Sequence, residues 1–265
     1  MSIDASAQAL PDPIAQALKN SVTDGLSIKT DSASDVYRYV DTTGRVSYLK
    51  IQRPSWSPPL SRERDAMQWF SRKVAVPEVI AYHLENDIEY LLTTAIPGTS
   101  SENDSCHANK QRLVEHLADA LRTIHHIPIT GCPVDKTPDA LIAHGRARIE
   151  AGIITQQMVE EEGMTGSPSE ALDGLAESAP ELVGPVVTHG DYCLPNIIIE
   201  NDQVTGFIDL GYFGVGDPYR DYIAAQYSVR RNLGEEWVAS FFDAHGLKSL
   251  DEQKLRWYRQ IQAFD

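Results

Sequence analysis

Residues 186–209 read VVTHGDYCLPNIIIENDQVTGFID, and most of what the sequence says about the fold starts from this segment. Two short apolar runs at residues 197–199 and 204–208 flank Asn201 and Asp202. Asn and Asp are favoured at the centre of tight hairpin turns, and β-branched apolar runs are typical of strands. The pattern therefore predicts a hairpin that brings the residue before its first strand close to the residue after its second.

Asn196 precedes the first of these strands and Asp209 follows the second, so the hairpin should place an amide oxygen near a carboxylate. Mg²⁺ prefers oxygen ligands of this kind. Asp191 comes five residues before Asn196, which is the spacing between the catalytic Asp and the metal-binding Asn of the kinase catalytic loop. Phosphoryl transfer needs a metal on the phosphate oxygens and a carboxylate that orients the attacking hydroxyl. The segment therefore predicts an enzyme that moves the γ-phosphate of ATP to a hydroxyl, with Asp191 as its base.

His189 opens this loop and admits two interpretations. It could act as a base, or it could hydrogen-bond the backbone and hold Asp191 in place. Its position in the loop, just before Gly190 and Asp191, favours the structural role.

A second set of residues is predicted to bind the nucleotide. A kinase needs a cation near the α- and β-phosphates, and Lys50 lies near the end of a predicted strand. Glu63, on the following predicted helix, is the expected partner of this lysine. The sequence has no GxGxxG motif, so the turn that covers the phosphates is assigned to residues 31–34, with hydroxyls from Ser32 and Ser34.

The acidic composition bears on the partners of the chain. Its 38 Asp and Glu residues outnumber 23 Lys and Arg residues, which gives a net charge of −15. Such a charge repels nucleic acid and anionic membranes and favours a cationic small-molecule substrate, although an acidic surface also serves solubility alone. No apolar run approaches the roughly 20 residues of a membrane span, and residues 1–20 lack the pattern of a secretory signal. We therefore expect a cytoplasmic protein that is a monomer or a weak dimer.

The hydrophobic pattern changes near residue 97. Before this point short alternating segments predict strands with one helix, and after it apolar residues recur at helical spacing. Residues 1–97 are accordingly predicted to form a small β-rich nucleotide-binding lobe, and residues 98–265 a larger helical catalytic and substrate-binding lobe, in an α+β fold. The predicted strands of the first lobe are 36–40, 46–51, 79–82 and 90–94, and its predicted helix is 63–73. The predicted helices of the second lobe are 110–126, 168–178, 219–232, 235–245 and 250–262.

Longer stretches of the chain match one known family. They are VYRYV, YLK, RERDAMQWF, VPEVI, YLLTTAIPG, IHHIPITGCP, THGDYCLPNIII, GFIDLGYFGVGDPYRDYIA, GEEW and FFDAHGL, in this order from about residue 27 to the end. In these motifs the sequence resembles the aminoglycoside phosphotransferases, most closely the kanamycin/neomycin 3′-phosphotransferase group. The resemblance implies a two-lobed protein-kinase-like fold and ATP and Mg²⁺ as cofactors. It also implies phosphate transfer to an aminoglycoside hydroxyl, most simply the 3′-hydroxyl, which confers antibiotic resistance.

The resemblance further implies roles for individual residues. The implied set is Asp191 as catalytic base, Asn196 and Asp209 as magnesium ligands, Lys50 paired with Glu63 at the phosphates, and Asp221 as a structural brace of the catalytic loop. Tyr48 is implied to stack on the adenine. Main-chain groups of Thr94 and Ile96 are implied to contact the base.

Acidic residues of the helical lobe are implied to contact the substrate. Glu160 and Glu161 belong to an acidic run where the family has a substrate-binding loop, although such a run can equally be a solvated charged face. The 3′ enzymes usually end in an Asp-Glu pair and an aromatic residue, whereas this sequence ends Gln-Ala-Phe-Asp, which leaves Asp265 as the terminal candidate. Tyr212 also stands where arginine is common in the family.

These departures leave other functions open. One is a streptomycin 3″-phosphotransferase. Another is a kinase of choline, homoserine or a sugar, but a quaternary ammonium calls for an aromatic cage, and Trp56, Trp69, Trp237 and Trp257 form no local cluster in the sequence. A third is a non-catalytic nucleotide-binding module, which normally loses a metal ligand or the base, and this sequence retains both.

Overall fold

The computed structural model describes residues 10–23, 25–28, 33–55 and 57–265. The chain divides into two compact units, of which the first runs to Gly98 and takes in Thr205–Tyr212, and the second consists of Thr99–Val204 and Phe213–Asp265. The sequence predicts two continuous lobes that meet after residue 97. In the structure the chain returns from the second unit to the first for the segment that carries Asp209.

An antiparallel sheet dominates the first unit. Its strands are β1 (Leu26–Ile28), β2 (Asp35–Val40), β3 (Val46–Gln52), β4 (Val79–Glu85) and β5 (Ile88–Thr94), in the order β1-β2-β3-β5-β4. Helices α1 (Asp12–Ala17) and α2 (Leu60–Phe70) belong to the same unit. Asn86 and Asp87, between β4 and β5, have φ of 50° and 61°, the left-handed conformation that a two-residue hairpin turn requires.

The alternation of β3 separates a core face from a polar face. Leu49 and Ile51 are buried and pack with Ile14 of α1 and with tyrosines of β2 in one apolar cluster. Successive side chains of a strand point to opposite faces, so Tyr48 and Lys50 lie on the other face. The burial of Leu49 and Ile51 therefore fixes the direction of Lys50.

The second unit is mainly helical. Its helices are α3 (Lys110–His125), α4 (Pro138–Glu150), α5 (Gln156–Glu161), α6 (Pro168–Glu177), α7 (Tyr219–Leu233), α8 (Glu236–His245) and α9 (Glu252–Ile261). Its strands are β6 (Thr99–Ser100), β7 (Asp135–Lys136), β8 (Val186–Thr188), β9 (Ile197–Glu200), the start of β10 (Gln203–Phe207), and β11 (Gly214–Gly216). An apolar cluster joins α4, α6 and α9 through Leu141, Leu172 and Tyr258.

Helix α3 forms as its sequence predicts. Leu113, Leu117, Leu121 and Ile124, which recur at helical spacing, are all buried. Asn109 caps the helix, because its side chain accepts a hydrogen bond from a backbone N–H of the first turn. The apolar stripe and the cap together determine where this helix lies and where it begins.

The predicted hairpin around residues 197–208 is confirmed. Strands β9 and β10 neighbour each other in the sheet order β10-β9-β6, and the turn residues Asn201 and Asp202 have φ of 50° and 62°. A second small sheet has the order β7-β11-β8. In the first unit Gly206 approaches Ala75 so closely that a Cβ would lie 2.8 Å from the Ala75 carbonyl oxygen, so glycine is required there.

Several short elements were not predicted, among them the helices α1, α4 and α5 and the strands β1, β6, β7, β8 and β11. Helix α4 buries Arg148 and Gly145, which interrupt the apolar spacing that a sequence pattern relies on. Helix α2 begins at Leu60, directly after Pro59, and therefore three residues before its predicted start at Glu63. Within the described residues no helix is both long and apolar enough to cross a membrane.

Candidate active site

Lys50 of β3 binds two carboxylates in the first unit. Its Nζ donates to both carboxylate oxygens of Glu63, at 2.8 and 2.9 Å, and to Oδ1 of Asp209 at 3.1 Å. Glu63 lies in α2 and is 3% exposed, whereas the side chain of Asp209 is 40% exposed. The structure thus brings the predicted pair Lys50 and Glu63 together and adds Asp209 as a third member.

The charges of these three groups influence one another. Burial acts to lower the pKa of Lys50, but Asp209 and Glu63 act against it, and the pKa of Lys50 is raised overall. Burial raises the pKa of Glu63, because the attraction of Lys50 does not fully offset the loss of hydration and the repulsion of Asp209. Lys50 therefore stays protonated at neutral pH and can bind an anionic phosphate.

Asp209 has an unusual backbone conformation. Its φ is 61°, in the left-handed region that few residues other than glycine adopt and that Asp and Asn tolerate best. In this conformation its carboxylate reaches Lys50 while remaining partly exposed. Conformations of this kind concentrate at functional positions.

The other predicted nucleotide contacts have mixed outcomes. Tyr48 is half-buried and lies on the same face of β3 as Lys50, so one ligand could contact both side chains. The backbone N–H groups of Thr94 and Ala95 donate to carbonyl oxygens of the same unit at 2.9 and 3.1 Å. Both N–H groups therefore already have acceptors within the protein. Ile96 is the next residue in the chain, after the end of β5.

Ser34, from the predicted phosphate-covering turn, has a hydrogen-bond partner within the protein. Ser34 is buried and its hydroxyl donates to Oε1 of Gln52 at 2.7 Å, and Gln52 donates in turn to the carbonyl oxygen of Pro58 at 2.9 Å. Ser34 therefore ties parts of the first unit together, in place of the predicted contact with phosphate. Ser32 lies outside the described residues.

In the second unit Asp191 and Asn196 contact each other directly. The side-chain amide of Asn196 donates to Oδ2 of Asp191 at 2.9 Å and to its carbonyl oxygen at 3.0 Å. The amide hydrogens are thus directed at Asp191, and Oδ1 of Asn196 points away from that carboxylate. A 3-10 turn over Leu194–Asn196 ends the loop between β8 and β9.

Asp221 of α7 braces the start of this loop. Its carboxylate accepts hydrogen bonds from the backbone N–H groups of His189 at 3.0 Å and Gly190 at 2.7 Å, and it is hydrogen-bonded to Nε2 of His125 at 2.9 Å. Burial acts to raise the pKa of Asp221, but His125, His189 and the N–H of Gly190 reverse this effect, and the pKa is lowered. The brace is therefore a charged carboxylate at neutral pH.

His189 is fully buried and supports Asp191 from within the loop. Its Nδ1 accepts a hydrogen bond from the N–H of Asp191 at 3.3 Å, and its ring lies edge-on to Tyr192. Gly190, between His189 and Asp191, has φ of 86°, which favours glycine. These contacts support the structural interpretation of His189 over the catalytic one.

Three further polar residues of the site were not predicted. His125 reaches Asp221 from the end of α3, Ser228 of α7 accepts from the N–H of Leu194 at 2.9 Å, and Ser101 donates to the carbonyl oxygen of Leu194 at 2.8 Å. A sequence signal existed for Ser228, because it lies seven residues after Asp221 and so on the same face of α7. The other two residues come from distant parts of the chain and have no local signal.

The predicted substrate-binding acids lie in different settings. Glu160 and Glu161 belong to α5 and not to a loop, and both exposed side chains accept hydrogen bonds from glutamines one turn earlier, at 3.0 and 2.8 Å. Asp265 is mostly buried and is ion-paired with Lys136 and Arg220. Burial acts to raise the pKa of Asp265, but the two cations lower it overall. A carboxylate neutralised in this way is not available to an ammonium group, so the expectation for Asp265 is corrected.

The oxygen donors suit a nucleotide-bound magnesium ion. Asn196 directs Oδ1 away from Asp191, and Asp209 keeps a partly exposed carboxylate. The residues that the structure describes contain no group of three or more His, Cys, Asp and Glu side chains able to hold a metal. Amide and carboxylate oxygens are the ligands that Mg²⁺ prefers in proteins. Asn196 in the second unit and Asp209 in the first are each a donor of this kind.

Known proteins resemble this chain over most of its length. A model of the phosphotransferase enzyme family matches residues 26–258. An aminoglycoside 3′-phosphotransferase of Niallia circulans is 31% identical over 234 residues, covering 88% of this chain and 89% of that protein. Streptomycin 3″-kinase of Streptomyces griseus is 30% identical over 245 residues, covering 87% and 88%.

Solved structures agree with this relationship. Aminoglycoside phosphotransferase APH(3″)-Id from Streptomyces rimosus ATCC10970, in complex with ADP and streptomycin, is 26% identical with a TM-score of 0.69, covering 96% of this chain and 99% of that one. The predicted α+β, kinase-like fold is thereby confirmed. The chain belongs to the phosphotransferase enzyme family, among the aminoglycoside phosphotransferases.

Proposed function

We propose that this protein is an aminoglycoside O-phosphotransferase that transfers the γ-phosphate of ATP to a 3′-hydroxyl and thereby confers resistance. The observation that carries the proposal is the direct contact between Asp191 and Asn196 in a loop braced by Asp221. Phosphoryl transfer needs a carboxylate for the acceptor and a nearby metal-binding amide, and this loop contains both. The relationship to proteins named aminoglycoside 3′-phosphotransferase supports the choice of acceptor.

Asp191 acts on the acceptor in this proposal. Its carboxylate contacts the acceptor hydroxyl, and Asn196 orients that carboxylate through a hydrogen bond to Oδ2. The acceptor oxygen forms its bond to the γ-phosphorus as the bond between that phosphorus and the β,γ-bridging oxygen breaks, and Asp191 takes the hydroxyl proton. ADP leaves with the bridging oxygen.

Residues of the first unit act on the nucleotide. Lys50 neutralises charge on the α- and β-phosphates, and Glu63 holds its ammonium group in place. Tyr48 stacks on the adenine, and Ile96 contacts its edge through the main chain, since the N–H groups of Thr94 and Ala95 are committed elsewhere.

Asn196 and Asp209 hold Mg²⁺ in this proposal, through Oδ1 of the amide and through the carboxylate. Bound there together with ATP, the ion would supply positive charge that stabilises the transferring phosphate. The contact between Lys50 and Oδ1 of Asp209 keeps the carboxylate of Asp209 oriented before the nucleotide binds.

The acceptor is proposed to be cationic. Aminoglycosides carry several ammonium groups, and the chain has a net charge of −15. Glu160 and Glu161 are exposed on α5 and remain the candidate contacts for these groups. A second candidate acceptor is the 3″-hydroxyl of streptomycin, because streptomycin 3″-kinase of Streptomyces griseus is 30% identical to this chain.

The reaction consumes ATP, so we propose that the protein works in the cytoplasm. We further propose that it is a monomer or a weak dimer. Light scattering coupled to size-exclusion chromatography measures this directly, and a stable higher oligomer would contradict it.

Coupled ADP release from Mg·ATP tests the proposed reaction, with kanamycin, neomycin, streptomycin, choline and homoserine as acceptors. We expect turnover with kanamycin and neomycin, no turnover in Asp191→Ala, and wild-type turnover in Asp173→Ala, which changes an exposed aspartate of α6. The position of the phosphate in the product, determined by NMR, distinguishes 3′ from 3″ transfer. Folded protein that binds ATP but leaves every aminoglycoside unmodified would overturn the proposal.

A further inference from the structure

Two buried serines hold the residue that starts the 3-10 turn of the catalytic loop. The N–H of Leu194 donates to Oγ of Ser228 at 2.9 Å, and the hydroxyl of Ser101 donates to the carbonyl oxygen of Leu194 at 2.8 Å. Leu194, Ser228 and Ser101 are 2%, 3% and 0% exposed. Water therefore cannot replace these hydrogen bonds, and the peptide groups on both sides of Leu194 are fixed.

The position of Leu194 determines the position of Asn196. The turn Leu194–Asn196 contains Pro195, whose ring fixes φ, and the N–H of Ile197 closes the turn on the carbonyl oxygen of Leu194. The N–H of Asn196 donates to the carbonyl oxygen of Cys193 at 3.0 Å. A shift of Leu194 would therefore move the amide of Asn196 and change its contact with Asp191.

Helix α7 holds both ends of the loop. Asp221 binds the N–H groups of His189 and Gly190 at the start, and Ser228 binds Leu194 near the end. The two side chains are seven residues apart, which is two helical turns or about 10.5 Å along the helix axis. A rigid helix thus sets the spacing between the two ends of the loop.

The hydroxyl oxygen of Ser228 acts as an acceptor for two donors. Besides the N–H of Leu194, the side-chain amide of Asn232 donates to this oxygen at 3.2 Å and to the carbonyl oxygen of Ser228 at 2.8 Å. Alanine at position 228 would leave both donors without this acceptor, whereas threonine retains it.

We infer that Ser228 is a positioning residue that acts through Leu194 to hold Asn196 in the orientation that binds the magnesium–nucleotide complex. The inference rests on the proposed function, because it gives Asn196 its role in that reaction. Residues that orient a metal ligand typically change metal affinity or activity by about 10- to 100-fold when they are replaced. Loss of the Ser228 hydroxyl should therefore weaken the response to Mg²⁺ more than it weakens the fold.

The experiment compares Ser228→Ala with Ser228→Thr and with the control Ser178→Ala, which removes a hydroxyl bonded to the backbone of α6. The melting temperature is measured at a fixed ADP concentration against increasing Mg²⁺, and turnover is measured over the same Mg²⁺ range. We expect Ser228→Ala to need about tenfold more Mg²⁺ for half of the thermal shift, with a similar loss in kcat. Ser228→Thr and Ser178→Ala should respond to Mg²⁺ as the wild-type protein does.

A Ser228→Ala protein that melts earlier but responds to Mg²⁺ like the wild-type protein would overturn the inference, since that is the behaviour of a merely structural residue. If this variant does not fold, Ser101→Ala removes the other bond to Leu194 and is judged by the same two readouts. The thermal shift needs no acceptor. A wild-type protein inactive on every aminoglycoside would therefore contradict the proposed function without deciding the role of Ser228.

Discussion

Asp221→Asn is the substitution that most directly tests how the catalytic loop is held. Asparagine has nearly the shape of aspartate, so the packing around position 221 should be preserved. The change removes the negative charge and replaces one acceptor oxygen by an NH₂ group. In one orientation that group faces the N–H of Gly190, which binds Oδ1 in the native protein. In the other it faces both the N–H of His189 and Nε2 of His125, which bind Oδ2.

The size of the effect follows from these contacts. Hydrogen bonds to a charged group contribute about 1.5–3 kcal/mol each, and Asp221 accepts two from backbone N–H groups and is bonded to His125. A neutral amide is less costly to bury than a carboxylate, which offsets part of the loss. Removing one partner from a buried charged contact usually costs about 3–5 kcal/mol, and we expect a value near the lower end, about 3 kcal/mol.

Urea unfolding at pH 7, followed by tryptophan fluorescence, measures this loss in the free energy of unfolding. Asp173→Asn is the matched control, because the same chemical change affects an ion pair with Arg146 whose side chains are 54% and 56% exposed. Exposed pairs contribute about 0–1 kcal/mol, so the control should unfold almost as the wild-type protein does. The kcat of Asp221→Asn should fall while that of the control stays unchanged.

A loss below about 1 kcal/mol in Asp221→Asn, together with wild-type kcat, would refute the reasoning. It would mean that the loop around Asp191 is held by its other contacts and that the charge of Asp221 contributes little. A large loss in the free energy of unfolding with unchanged kcat would show that Asp221 affects stability but not turnover. In that case the brace would stabilise the second unit without orienting Asp191.

Two further predictions concern charges elsewhere in the chain. Lys50→Met should abolish turnover and lower the free energy of unfolding by about 3 kcal/mol, because it leaves Glu63 buried without its cation. The double variant Lys50→Met/Glu63→Gln should recover most of that stability in urea unfolding but no ADP release, and recovered turnover would contradict the role of Lys50. Burial, with His125 nearby, lowers the pKa of His245 from 6.5 to about 4. The unfolded chain therefore binds a proton that the native state excludes, and stability should fall as the pH drops from about 6.5 to about 4. His245 as a whole is only partly buried, which reduces the full effect of ~3 kcal/mol to about 1–2 kcal/mol. His245→Phe should remove this acid sensitivity, and equal pH slopes in wild type and variant would contradict the assignment.

The parts of the fold that could be predicted are those with local signals. Helix α3 has an unbroken apolar stripe, and the hairpin of β9 and β10 has Asn201 and Asp202 at its turn. Lys50 could be placed because the strand alternation around it is regular. Each of these signals depends on neighbouring residues only, so one sequence was enough to recognise it.

The parts that could not be predicted depend on contacts between distant residues. His125 and Asp221 are 96 positions apart, and Ser101 and Leu194 are 93 positions apart. Asp265 is another case, because its ion pairs with Lys136 and Arg220 are invisible until the chain is folded. The family resemblance implied that Asp221 braces the loop, but nothing in the sequence near His125, Ser101 or Asp265 indicates the partners of these three residues. Their contacts emerge only from the packing.

The contact between Asp191 and Asn196 also explains why position 196 is an amide. A carboxylate would bind a divalent cation more strongly, but here it would lie about 2.9 Å from the carboxylate of Asp191. Two carboxylates at that distance cannot both stay ionised, so the pKa of one would rise and its oxygen would be protonated. The proposed base or the proposed metal ligand would then be lost at neutral pH. Asparagine avoids this conflict, because its NH₂ group binds Asp191 while its amide oxygen is a hard donor of the kind that the proposed magnesium site needs.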